Sequence, residues 1–383
     1  MQNHNTAMTI ETPSLNMAEA SISLGHLKHN IREIKQCVGT GVRIMGIVKA
    51  NAYGHNMQKV AETLEAEGIS DFGVANIHEA IELKTGGALK KPANILSFSS
   101  PIIQQIEYYL HHQIDMTLCD ANIMKAASAI AEKHNKKIGV HLKVDTGMGR
   151  LGLPPLQALE LLRETERQPG LELKGVYTHF AESANDDFTR RQFKEFKTMT
   201  DAYETASGKT LCKHAASSGT LLNNPEMRLD MVRPGILLYG YKPYPALPSS
   251  ITVRPVMQFE AKVIFIKTVA KDATISYNRT WKAARPVKIA TISAGYADGY
   301  HRALSNHATV FINGKSFQQV GTVTMDQFMV DLGTESDVKI GDRAILFGWE
   351  GPCLEELAGS IGSISYELLC SVSSRVKRVF TDD

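Results

Sequence analysis

A parallel (β/α)8 barrel of the TIM type, followed by a smaller and mostly β C-terminal domain, is the α/β architecture this sequence predicts. Three observations predict it. Apolar runs of strand length recur eight times between about Val42 and Tyr239. Helical patterns lie between most of them, as a barrel of alternating strands and helices requires. Beyond a Pro/Ser-rich stretch, Pro243 to Pro255, the helical periodicity fades and strand patterns take over. A chain of 383 residues also favours two domains over one. A doubly wound open sheet is the structural alternative, but it usually shows fewer strands.

The elements follow in order. Residues 1–19 are polar and read as a flexible tail. Residues 20–250 carry the barrel pattern, beginning with a short strand at Ala20 to Leu24 and an amphipathic helix at Leu27 to Cys37. The eight apolar runs end at Val48, Ala75, Phe98 and Leu118, and then near Val144, His179, Ala216 and Tyr239. Helix patterns cover Met57 to Glu67, Ile77 to Lys84, Ile102 to His111, Ala121 to Lys133, Leu156 to Arg167 and Phe188 to Ala206. Asn56 and Asp120 are placed as N-caps, Pro155 as a first-turn proline and Gly68 as a stop. In residues 251–383, strands are expected at Met257 to Val269, Val287 to Ile292, Ala308 to Ile312, Phe328 to Asp331 and Arg343 to Phe347, with one helix at Cys353 to Ile361. Asn313-Gly314 is a hairpin turn signal.

Composition excludes several classes. A net charge of +2 offers no argument for nucleic-acid or membrane partners. No apolar run is long enough to span a bilayer, and the N-terminus lacks the charged-then-apolar order of a signal peptide. The 5 cysteines are odd in number, scattered and without zinc-ligand spacing. They read as reduced thiols in the cytoplasm, and no metal is expected.

Active sites of such barrels lie at the C-terminal ends of the strands, so polar residues should gather there. They do. Lys49 and Tyr53 follow the first run, and Lys143, Asp145 and Arg150 the fifth. His179 ends the sixth, His214, Ser217 and Ser218 follow the seventh, and Arg233 starts the eighth with Gly235 and Ile236 just inside it. Taken singly, each has a blander reading: a strand-end lysine is usually a solvated charge, and a lone histidine a satisfied core residue. Together, one lysine among cations, hydroxyls and backbone amides suits an aldehyde cofactor that carries a phosphate. Apolar flanks would lower the lysine pKa and make it a usable amine nucleophile.

The motifs VKANAYGH, LKVDTGMGRLG, THFA, VRPGI, SYNRTW, AGYADGY, TMDQFMVD and SYELLC occur in that order between Val48 and Cys370. In them the sequence resembles the alanine racemase family, the fold type III enzymes that use pyridoxal 5′-phosphate. The resemblance implies an isomerase that interconverts L-alanine and D-alanine, supplying D-alanine for peptidoglycan. It implies that Lys49 joins the cofactor aldehyde as a Schiff base and, once freed, is one of two catalytic bases. The second is a β-domain tyrosine, matched by Tyr277. A free phenol, with a pKa of ~10, is a poor base at neutral pH. In the family a histidine and an arginine supply positive neighbours, matched by His179 and Arg233, and the arginine also meets the pyridine nitrogen. Phosphate contacts carry over to Tyr53, Ser218, Tyr366 and the amides of Gly235 and Ile236. Arg150 matches the residue at the cofactor's phenolic oxygen and the substrate carboxylate. Lys143 matches a position subject to carbamylation. Met325, by its amide, would hold the substrate, with Asp326 beside it, and Tyr296 and Arg302 would line the entrance. The tyrosine reaches the barrel of the other subunit in the family, so the resemblance implies a head-to-tail homodimer with shared sites.

Two positions depart from the pattern. Ser217-Ser218 stands where Asn-Ser is common, and Asn278 follows Tyr277 where glycine is common. Asparagine tolerates unusual backbone angles, so the turn is expected to persist. Substrate breadth is what these changes touch, and a serine or broader-specificity racemase is the alternative. A non-catalytic carrier of the cofactor, built as a single barrel, is a third reading against which the β domain argues. A phosphosugar enzyme would need a carboxylate pair at the strand ends, and none is found there.

Overall fold

Strand β1 (Ala18–Ser23) leads into helix α1 (Leu24–Val38), and eight parallel strands follow: β2 (Arg43–Ile47), β3 (Asp71–Val74), β4 (Asn94–Ser97), β5 (Asp115–Leu118), β6 (Ile138–Lys143), β7 (Leu171–Tyr177), β8 (Lys213–His214) and β9 (Met231–Val232). This computed structural model describes residues 17–184, 186–244 and 251–383. The parallel order is β8-β7-β6-β5-β4-β3-β2-β9. Its two ends meet through a parallel bridge between Ser217 and Arg233, and the Arg233 amide donates to Ala216 O at 2.9 Å. The sheet is thus a nearly closed eight-stranded barrel.

The intervening helices form where the apolar spacing and caps place them. Asn56, Asn76 and Asp120 each accept backbone N–H bonds in the first turn of their helices, worth roughly 1 kcal/mol apiece. Pro155 opens its helix, where the missing N–H costs nothing. Seven of the eight strands end within two residues of the expected place. The eighth does not. It ends at Val232, and Ile236 to Tyr239 form a buried turn, with Leu238 and Tyr239 donating to Gly235 O and Ile236 O. A short apolar run looks the same in a strand and in a buried turn. Here Pro234-Gly235 breaks the ladder, so Gly235 and Ile236 lie beyond the strand and not inside it.

The second sheet runs β13-β16-β15-β14-β17-β10-β1-β18, with β13 also paired to β10. Its strands are β10 (Met257–Val269), β13 (Val287–Ile292), β14 (Thr309–Ile312), β15 (Lys315–Val320), β16 (Phe328–Gly333), β17 (Arg343–Phe347) and β18 (Lys377–Thr381), with a separate short pair β11 (Thr274–Ile275) and β12 (Trp281–Lys282). Strand β10 is long enough to pair β17 through Phe259–Lys262 and β13 through Val263–Val269. That closes six antiparallel strands on themselves. The turn Asn313-Gly314 joins β14 to β15 with φ of 51° and 74°, as a two-residue hairpin needs.

The described chain divides into two units. The barrel unit is Ile22–Met257, Ser365–Cys370 and Phe380–Asp383; the C-terminal unit is Gln258–Ile364, Ser371–Val379 and the described residues of Met1–Ser21. Thus β1 joins the C-terminal sheet and not the barrel, and the segment holding Tyr366 belongs with the barrel. Both pairings are non-local, so no local pattern reveals them. The expected tail at residues 1–19 and the linker at Pro243 to Pro255 lie partly outside the described residues.

Candidate active site

A cavity of about 300 Å3 opens in the barrel unit at the C-terminal ends of its strands. Lys49, Tyr53, Arg150, His179, Ser218, Arg233, Gly235, Ile236 and Tyr366 all line it, together with Lys143. No carboxylate is among its described lining residues. A pocket with two lysines, two arginines and no opposing charge is built for an anion.

Lys49 opens a short segment, Lys49–Tyr53, with a rare backbone. Ala50, Asn51, Ala52 and Tyr53 all have φ between 51° and 55°, a left-handed turn. Such angles cost roughly 1–2 kcal/mol per residue, so the turn needs outside support. Glu79 accepts from the amides of Ala50 and Ala75, at 2.8 and 2.7 Å. The Asn51 side chain accepts from Met57 N at 2.8 Å. His55 Nδ1 lies 2.9 Å from the carbonyls of both Ala52 and Tyr53. The turn brings the buried Tyr53 ring against Tyr239, centroids 4.6 Å apart, and toward Tyr366 at 5.9 Å. Burial, then the charge of Arg150, holds the Lys49 amine below the ordinary lysine range. Lys143 is lowered to about 7 by burial and by Arg233.

Arg233 is 4% exposed. One of its Nη1 hydrogens goes to His214 Nδ1 at 3.0 Å, and Nη2 donates to Thr178 O and Ala215 O at 2.8 and 3.0 Å. Among the described residues its Nε–H and second Nη1–H meet no acceptor. Burial lowers its pKa to about 10, so it stays a cation at neutral pH. His179 was expected to be a second positive neighbour. It is not. Burial and Arg233 drive its pKa to about 3, and its Nδ1 faces Arg233 Nη2 at 3.4 Å as an acceptor.

The turn after β9 forms a cradle. Gly235 N donates to Ser218 Oγ at 3.0 Å, while the amide of fully buried Ile236 finds no acceptor among the described residues. A Cβ on Gly235 would lie 2.5 Å from Tyr53 Oη. The spare N–H groups of Arg233, the free Ile236 amide and this glycine gap are what a phosphorylated heteroaromatic ring would use. The residues present therefore fit the expected cofactor.

Tyr277, Tyr296 and Met325 are not among the described lining residues of this cavity. They belong to the C-terminal unit, where they are 68%, 44% and 53% exposed. One segment, 321–326, ties their loops together. Ser276 Oγ donates to Thr322 O at 2.6 Å, and Thr322 Oγ1 to Tyr277 O at 2.9 Å. The amides of Tyr296 and Ala297 donate to Thr324 O and Met325 O. Arg375 braces this assembly with bonds of 2.6 Å to Asp298 and 2.8 Å to Asp326. Asn278 takes φ 58° and ψ 3°, so the turn after Tyr277 keeps a left-handed residue without glycine.

The model of the alanine racemase N-terminal domain matches residues 22–243, and that of the C-terminal domain matches residues 256–380. The chain belongs to the alanine racemase family. An alanine racemase of Chlorobaculum tepidum is 57% identical over 95% of each chain. One from Treponema denticola is 40% identical over 95% of this chain and 98% of that one. The solved alanine racemase of Clostridium difficile 630 superposes with a TM-score of 0.90 at 34% identity, covering 95% of this chain and 96% of that one. Among the residues that line the cavity, sequence reasoning passed over Tyr177, and in the barrel interior it passed over the buried polar residues Asp115 and His141. A period-two pattern signals the last: Gly139, His141 and Lys143 share one face of β6.

Proposed function

We propose that this chain is an alanine racemase that interconverts L-alanine and D-alanine with pyridoxal 5′-phosphate. The observation that carries this reading is one cationic cavity holding Lys49, the spare N–H groups of Arg233 and the unpaired Ile236 amide. When bound, the cofactor supplies the electron sink that makes the Cα proton of an attached amino acid acidic.

The chain's own residues do the rest. The Ile236 and Gly235 amides and the Tyr53, Ser218 and Tyr366 hydroxyls hold the phosphate. Arg233 donates to the ring nitrogen and, being unable to give up its proton at working pH, leaves that nitrogen largely unprotonated. Arg150 and the Met325 amide hold the substrate carboxylate. Lys49, with its lowered pKa, moves the proton on one face of Cα, and Tyr277 moves it on the other. The exposure of Tyr277, Tyr296 and Met325 in the single chain supports a head-to-tail homodimer in which they serve the partner's cavity. With His179 neutral, Arg233 is the positive group that would favour the Tyr277 phenolate. All five cysteines are free thiols, which supports a cytoplasmic enzyme. D-alanine would then serve peptidoglycan synthesis.

Alanine in deuterated water tests the reading. The wild type with cofactor should exchange Cα–H for deuterium while producing both enantiomers, and Lys49→Ala should do neither. Wild-type protein that takes up no cofactor, or takes it up without exchange, would overturn it. A panel including serine measures breadth, since a pocket that only excludes bulk discriminates by roughly 1–3 kcal/mol per methylene.

A further inference from the structure

Beneath the cavity and behind Arg233, the barrel interior carries a row of buried polar groups that the proposed chemistry does not use: His214, His141 and Asp115. From Arg233 Nη1 the row passes 3.0 Å to His214 Nδ1, then 2.9 Å from His214 Nε2 to His141 Nδ1. His141 Nε2 lies 3.9 Å from Asp115 Oδ2, an electrostatic contact and not a hydrogen bond. Asp115 is the first residue of β5, so the row crosses to the N-terminal end of the barrel. There Asp115 pairs with Lys174 at 2.9 Å. The room for it is cut by glycines: a Cβ on Gly139 would come 2.1 Å from Asp115 Oδ1, and one on Gly175 2.6 Å from His141 Nδ1.

The direction of every bond is dictated from one end. A guanidinium has no acceptor. His214 Nδ1 must therefore accept, which leaves its single proton on Nε2. That proton can go only to His141 Nδ1, which leaves the His141 proton on Nε2, the ring nitrogen 3.9 Å from the Asp115 carboxylate. We propose that His214, His141 and Asp115 are positioning residues that hold Arg233 through a one-way N–H chain running from the cavity to the far end of the barrel. A second proton on either ring would break the chain. It is opposed by burial and, for His214, by Arg233, His141, Arg43 and Lys143; for His141, by Lys174, Arg43 and Arg233. Tyr177, stacked on His214 with centroids 4.9 Å apart, adds no acceptor, because its hydroxyl turns to Thr117 at 2.8 Å. What Arg233 does for a bound cofactor rests on the proposed function; the chain itself does not.

Nitrogen-15 NMR of the histidine rings in the purified wild type tests it, with the His141→Gln and His214→Asn variants identifying the signals. Both rings should carry the proton on Nε2, with Nδ1 bare, from about pH 6 to pH 9. A proton on Nδ1 of either ring, or titration of either in that window, would overturn the proposal. Asp115→Asn should move the Nε2–H resonance of His141 and, through it, that of His214; silence at both removes Asp115 from the chain. Pyridoxal-phosphate affinity gives the second readout. His214→Phe keeps the stacking but strands a buried Arg233 N–H, and should bind about tenfold to a hundredfold more weakly. His214→Asn, which returns an oxygen near the Nδ1 position, should recover most of that loss. Equal affinity in the wild type and both variants counts against positioning. A wild type that binds no cofactor defeats the functional reading, while the ring nitrogens still decide the chain.

Discussion

At the scale of single residues, two positions, 235 and 143, lead to measurable consequences. Gly235→Ala should put a methyl 2.5 Å from the Tyr53 hydroxyl. Tyr53 is pinned between Tyr239 and Tyr366, so it cannot retreat cheaply. Cofactor affinity should fall by about tenfold or more with the fold kept, as measured by fluorescence titration beside far-UV circular dichroism. Lys143 gives a pH prediction. Its folded pKa is about 7 and a free lysine titrates near 10.5. Between those values the unfolded chain binds the extra proton, so stability rises with pH across that window. Lys143→Met should therefore be more stable than the wild type at pH 7, by a margin that shrinks toward pH 10. Denaturant melts at several pH values in bicarbonate-free buffer would check this, and a constant margin would refute it. Most cavity residues were legible in the sequence, because polar groups at the C-terminal ends of parallel strands must converge. The charge state of His179 was not, because it depends on burial and on where Arg233 lies.

At the scale of elements, strand periodicity and cap chemistry located the longer helices and seven barrel strands, since both are local; the short helices Ser218–Asn223 and Ser365–Ser371 were not expected. Where the ladder is broken by Pro234-Gly235, local reading went astray, and the broken ladder is what frees the amides of the cradle. In the C-terminal unit the same contrast appears between two turns. Gly314 and Gly321 both have positive φ, 74° and 75°. Gly314 faces open space, whereas a Cβ on Gly321 would meet Ile275 O at 2.8 Å, beside Ser276 and Tyr277. Gly314→Ala should cost about 1 kcal/mol from backbone angle alone. Gly321→Ala should cost more, roughly 2–3 kcal/mol, and should also lower racemisation by shifting the loop of Tyr277. Equal thermal-shift losses for the two variants would contradict this account.

At the scale of the whole molecule, the proposal of shared sites makes a quantitative claim. Lys49→Ala and Tyr277→Phe subunits, each inactive alone, should regain activity when unfolded and refolded together. Random pairing gives half mixed dimers, each with one intact site of two, so recovery should approach about a quarter of the wild-type rate. Sites complete within one chain would give no recovery. Exposed Tyr277, Tyr296 and Met325, braced through Arg375, fit residues that await a second surface.

Periodicity, caps and strand-end chemistry made the two kinds of domain, the barrel's alternating rhythm and ten cavity residues readable from the order of amino acids. Those signals act over a few residues and survive in any context. The return of β1 to the C-terminal sheet, the neutral state of His179 and the row from Arg233 through His214 and His141 toward Asp115 emerged with the fold in place. Each depends on groups distant in sequence that meet only when the barrel closes, and on the loss of water around them, which no local pattern encodes.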